Sequence, residues 1–170
     1  MKTHQSKNHV AIIRQQVTND NISWIGHQPG EAMSRTNGQT FLCPAAGDLD
    51  AIEVFPAVVC DHASLALTVH LFNAADHTWG PTLASSTAQV EKQDAGHWIS
   101  FPINDLHLQR GLTYGFRLNS DDTLIGIGGR IGSHTQMPIN GGQEWEASTE
   151  DKNGKYYSYF SLAFKVELRA

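Results

Sequence analysis

Apolar side chains fall on every second position near the end of the chain, where Phe160, Leu162, Phe164, Val166 and Leu168 alternate with Ser161, Lys165 and Glu167. A period of two belongs to a strand buried on one face. The rhythm recurs in Leu65, Leu67, Val69 and Leu71, all reading as buried, and in Leu112, Tyr114, Phe116 and Leu118. Residues 49–55 are apolar on both faces, as in a sandwich interior, and Pro56 confines that strand to an end or an edge. A weak strand of small residues is predicted over 82–90, and a strand with buried Trp98, Ile99 and Phe101 over 97–103. Residues 104–111 read as a turn or a single helical turn pinned by Leu106 and Leu108. In residues 124–132, Ile125, Ile127 and Ile131 alternate with Gly126, Gly128 and Gly132, with Arg130 on the glycine face. Glycine inside a strand signals close approach of another backbone or a ligand.

No stretch keeps apolar residues at helical spacing. Short strands punctuated by turns indicate an all-β fold, an antiparallel two-sheet β-sandwich of about eight to ten strands. Residues 1–38 are predicted to form an N-terminal extension, with either an edge strand over 10–13 or a tail that docks late, and a loop over 21–38 framing Trp24 and Ile25. Residues 39–170 form the sandwich, so the chain is one domain overall.

Length and charge narrow the function. A chain of 170 residues, 40% of them hydrophobic, can bury a core without staples. Cys43 and Cys60 read as buried free thiols, as a reducing compartment would keep them, although neighbouring strands would let them pair. A net charge of −5, with 12 basic residues among 17 acidic ones, opposes nucleic-acid binding. No apolar run is long enough to insert in a membrane, and Val10–Ile13 is too short for a secretory signal core. As written, the chain reads as cytoplasmic, and as extracellular if exported by another route.

The order of the core motifs carries a resemblance. A Gln-x-Phe opening at 39–41, Gly-Asp-Leu-x-x-Ile at 47–52, Leu-x-Leu-x-Val at 65–69, Trp98, Leu-x-x-Gly-Leu-x-Tyr-x-Phe at 108–116 and Leu-x-Phe-x-Val at 162–166 follow one another. This series resembles bacterial jelly-roll modules of the carbohydrate-binding, galactose-binding-like kind. The resemblance implies jelly-roll topology and a binding rather than a catalytic role.

The chemistry-bearing residues give no catalytic motif. Nine histidines (His4, His9, His27, His62, His70, His77, His97, His107 and His134) form no ligand pair, and His70 reads as an outward residue. No Gly-x-Ser-x-Gly elbow occurs. Glu144, Glu146, Glu150 and Asp151 supply carboxylates, but at the spacing of a solvated acidic loop. Asp121-Asp122 and Glu150-Asp151-Asn153-Gly154 are partial ligands for a structural calcium, the one cofactor considered.

Aromatic residues remain. Trp79 and Trp145 lie in polar surroundings, where an indole either caps the sandwich end or stacks on the apolar face of a sugar. Arg130, Asn140, Gln143 and Glu144 are placed to bind hydroxyls. Tyr157 and Tyr159, read as facing opposite Phe160, either cover the second sheet face or form a binding strip. The expected function is a non-catalytic module binding carbohydrate at Trp79, Arg130, Asn140, Gln143, Glu144, Trp145 and Tyr157. An interaction or assembly subunit using the same face, as an oligomer or with a protein partner, is the alternative. A jelly-roll lyase or hydrolase using His134, Tyr157 and Glu144 is the third.

Overall fold

The computed structural model describes residues 9–121, 123–133 and 135–169. Strands run in the order β1 (His9–Gln15), β2 (Asn21–Ile25), β3 (Arg35–Leu42), β4 (Gly47–Val54), β5 (Pro56–Val59), β6 (Ala63–Asn73), β7 (Thr78–Val90) and β8 (Ile99–Pro102). They continue as β9 (His107–Leu108), β10 (Thr113–Ser120), β11 (Ile125–Ile131), β12 (Glu144–Ser148), β13 (Lys155–Tyr157), β14 (Phe160–Leu162) and β15 (Phe164–Arg169). A single 3-10 turn, Lys92–Asp94, is the helical element among the described residues.

Among the described residues all strand pairings are antiparallel, and the fold is an all-β sandwich. It holds three hydrogen-bonded sheets where the alternation pattern predicts two. One face of the sandwich is a six-stranded sheet, β13-β12-β3-β10-β6-β7. Facing it are a five-stranded sheet, β1-β15-β4-β8 with β9 on β4, and a four-stranded sheet, β14-β11-β2 with β5 on β11. The division falls at Phe55, between β4 and β5, and at Ala163, between β14 and β15, where two chain segments pass from one sheet to the other. Pro56 sits at the first position of β5, where its missing N–H costs least.

Alternation holds where the sheets face each other. Leu65, Leu67 and Val69 of β6, Phe116 and Leu118 of β10 and Phe41 of β3 meet Leu49, Ile52, Val54, Phe101, Phe164, Val166 and Leu168. Phe164 stands 6.3 Å from Phe41 and 5.7 Å from Phe116, centroid to centroid, and so joins the layers. Each such side chain contributes about 1.5–3 kcal/mol by burial. Alternation fails at the handover, where Ser161, Leu162, Ala163 and Phe164 are all buried because strands lie on every side.

Other departures have local causes. Leu71 is 42% exposed, not buried, where the β6–β7 ladder slips register, and Leu112 is exposed because β10 starts one residue later. Residues 104–111 contain β9 and a left-handed Asp105 (φ 59) in place of a helical turn. Residues 21–38, read as a loop, contain β2 and the start of β3. In β11, a Cβ on Gly128 would lie 2.3 Å from the carbonyl oxygen of Thr18, so backbone, not ligand, fills that space. Cys43 is buried and Cys60 exposed, both free; the Cys43 thiol donates to the Ala45 carbonyl at 3.2 Å.

Phe164→Ala is expected to lower unfolding stability by about 3–5 kcal/mol in urea titration. Leu83→Ala, on an exposed position of β7, is expected to change it by less than about 0.5 kcal/mol.

Candidate functional site

The outer face of the six-stranded sheet follows from its core face. Because Phe41, Phe116 and Val69 point inward, the residues between them point out. Register then sets a row across the strands: Tyr156 opposite Trp145, Trp145 opposite Gly38, Gly38 opposite Arg117, and Arg117 opposite Thr68. The adjacent row runs Thr40, Gly115, His70 and Thr82. Two glycines in the middle leave a floor without side chains.

Trp79 occupies that floor. A Cβ on Gly115 would stand 2.7 Å from its six-membered ring, and one on Gly38 would stand 3.2 Å from both Trp79 and Trp145. The two indoles lie 5.3 Å apart with planes inclined at 55°. The Trp79 Nε1–H donates to the Tyr156 hydroxyl at 2.9 Å, which donates to the His77 carbonyl at 3.2 Å. His77, held at φ 55 at the tip of the β6–β7 hairpin, stacks on Tyr156 at 4.2 Å. The Trp145 Nε1–H donates to the Asn153 carbonyl at 2.9 Å. The hairpin tip is thereby tied to β13 across the sheet.

Arg117 completes the cluster. Its guanidinium carbon is 4.4 Å from the Trp79 ring centroid and 4.5 Å from that of Trp145, within cation–π range. Beside it, His70 is buried at the edge of Trp79, with 5.5 Å between ring centroids. A carbonyl only accepts, so His70 Nδ1 carries the proton toward Gly80 (2.9 Å) and Nε2 accepts from the Thr68 hydroxyl (2.7 Å). Burial, reinforced by the Arg117 charge, lowers the His70 pKa and keeps the imidazole neutral. Arg117, Trp79, Tyr156, Lys152, His77 and Asp76 are among the residues lining a groove of about 610 Å³.

The same β12–β13 hairpin has a second face. Glu144 lies opposite Gln39 and Tyr157, fully buried where the six-stranded and four-stranded sheets meet. Ser23 of β2 donates to its Oε1 at 2.9 Å, and Gln39 Oε1 accepts from the Leu162 amide at 3.0 Å nearby. Burial, with Glu146 beside it, pushes the Glu144 carboxyl up to about 8. Tyr157 and Glu146 open onto a cleft of about 380 Å³ shared with Trp24, Arg35 and Lys155.

The expected site residues divide accordingly. Trp79 and Trp145 come together in the groove, but Trp145 is 3% exposed and serves as its wall. Glu144 and Tyr157 belong to the opposite face of that sheet. Tyr157 does not face away from Phe160, since the chain turns after β13 and the rings lie 5.2 Å apart. Gln143 sits at the β3 edge, exchanging bonds with Thr40. Asn140 is exposed in the preceding loop, and Arg130 lies on β11 in the four-stranded sheet. His134 and Asp122 fall outside the described residues. The Asp151 carboxylate accepts from the Gly154 amide at 3.1 Å. Among the described residues, no group of three or more His, Cys, Asp or Glu is arranged to hold a metal ion. Sequence reading missed Arg117 and Lys152, and gave Tyr156 and His77 no place in the site. The signal for Arg117 was its place between Phe116 and Leu118, on the outward phase of a strand already recognised.

No family model and no curated protein matches the sequence. Solved structures do. A clostridial cysteine protease, Cwp84, after propeptide cleavage aligns over 94% of this chain with a TM-score of 0.59 at 10% identity. A structure of the cysteine protease and lectin-like domains of Cwp84, a surface layer associated protein of Clostridium difficile, aligns over 81% with a TM-score of 0.51 at 10% identity. The chain spans 40% and 33% of those two chains. At this identity the likeness is one of fold. No helix among the described residues is long and apolar enough to cross a membrane.

Glu144 sets a testable pH dependence. Its carboxyl ionises near its ordinary value of 4.5 when unfolded and near 8 when folded, so between these limits the native state holds the extra proton. Its contribution is complete below the lower limit and lost as pH rises through the upper one, at up to about 1.4 kcal/mol per pH unit. Urea titrations across pH 5–8 are expected to show this decline, and Glu144→Gln is expected to flatten it.

Proposed function

We propose that the chain is a non-catalytic binding module whose ligand is a glycan and whose site is the groove over Gly38 and Gly115. The observation that carries this reading is the convergence of Trp79 and Trp145, 66 positions apart in sequence, on one open groove that also holds Tyr156 and Arg117. Half-buried Trp79 and Tyr156 present aromatic surface to the C–H face of a sugar ring. Arg117, Lys152 and the backbone around Asn153 supply polar partners for hydroxyls.

Binding fits better than hydrolysis. Glycoside hydrolysis uses two carboxyl groups flanking the bond, whereas Asp76 is the one carboxylate lining this groove among the described residues. Glu144, required by the lyase or hydrolase reading, is buried on the other side of the sheet. The fold likeness to a protein whose structure includes a lectin-like domain, and the resemblance to galactose-binding-like jelly rolls, agree with a binding role.

Calorimetric titration against an oligosaccharide panel is expected to show saturable binding. Trp79→Ala should weaken it by about tenfold or more, roughly 1.4 kcal/mol, while Trp24→Ala in the cleft leaves it unchanged. Loss with Trp24→Ala alone would move the ligand to the cleft. No binding, together with an oligomer by light scattering that shields Trp79 from quenchers, would assign the face to assembly.

A further inference from the structure

Arg117 is unusual among the charged groups of this chain. It projects from the middle of a sheet, between Gly38 and Thr68, neither of which can neutralise it. Its Nε is buried without a hydrogen-bond partner, and among the described residues it enters no ion pair. Two indoles hold the guanidinium within 4.5 Å of their centroids but accept none of its N–H bonds. A partly desolvated cation with free donors is costly unless an anion meets it. The planar fork of arginine matches the paired oxygens of a carboxylate or sulfate. Lys152 lines the same groove, and among the described residues Asp76 is the single carboxylate lining it.

Resting on the glycan reading above, we infer that the groove is selective for an acidic glycan, one whose carboxylate or sulfate group meets Arg117 with Lys152 alongside. The aromatic walls fix the guanidinium in orientation before the ligand arrives, so little rotamer freedom is lost on binding. Neutral His70 at the edge of Trp79 adds no charge of its own, so the cations of the groove are Arg117 and Lys152.

The test is calorimetric titration of the full chain with a galacturonate tetramer, a neutral galactose tetramer and inorganic sulfate. The galacturonate is expected to bind about tenfold or more tighter than the neutral tetramer, with the advantage shrinking as salt rises. Arg117→Gln should abolish the advantage, Lys152→Gln should reduce it, and Arg130→Gln on the distant sheet should preserve it. Because Arg117 is packed, its variant is first compared with the parent by thermal melting, and exposed Lys152 supplies the variant that does not disturb packing. Equal affinity for the two tetramers overturns the selectivity while leaving a glycan site. If neither tetramer binds but sulfate does, and Arg117→Gln removes it, the anion site stands and the glycan reading falls. If none of the three binds, both fall.

Discussion

The two-residue period of β3 and β10 governs both sides of the six-stranded sheet at once. Burying Phe41 and Phe116 against Phe164 commits Gly38, Gly115 and Arg117 to the opposite face, since successive side chains of a strand point in opposite directions. The groove is therefore the reverse of the core. Sliding β10 by one residue against β3 would bring Arg117 into the apolar interior and Phe116 out into solvent. The same packing that stabilises the sandwich thus holds the guanidinium at its position with no dedicated scaffold.

The sandwich is not uniformly oily. Where the six-stranded sheet meets β2 and β14, the apolar layer gives way to Gln39, Glu144, Ser23 and Ser161, bonded across the gap. These bonds are directional, so they fix the relative position of two sheets that hydrophobic contact alone would leave free to slide. Keeping Glu144 protonated is what makes the arrangement tolerable, because an ionised carboxylate would need more donors than Ser23 provides. One hairpin, β12–β13, carries this junction on one face and the aromatic wall on the other.

Much of the core was legible as a sequence because its signal is local. Phe164, Val166 and Leu168, or Leu65, Leu67 and Val69, announce their strand and its buried face within a few residues. The number of sheets was not legible, since nothing near Phe55 or Ala163 states that a strand changes partners there. Trp79 and Trp145 stood out because large indoles in polar surroundings are conspicuous. Arg117 did not, because an arginine between core residues looks the same whether it meets solvent or two rings brought from β7 and β12. Arg130, Asn140 and Glu144 were grouped by closeness in sequence or by residue type, whereas pairing between distant strands decides which side chains meet.

The pair of indoles also has a spectroscopic consequence. Two identical chromophores 5.3 Å apart, with planes inclined at 55°, share their excited states. Coupling of their strong transitions gives far-ultraviolet circular dichroism bands of opposite sign, with amplitude set by the mutual orientation of the rings. Anything that enters beside Arg117 and turns Trp79 by a few degrees changes that amplitude. The protein thus carries, within its own aromatic walls, an optical gauge of groove geometry that needs no attached dye.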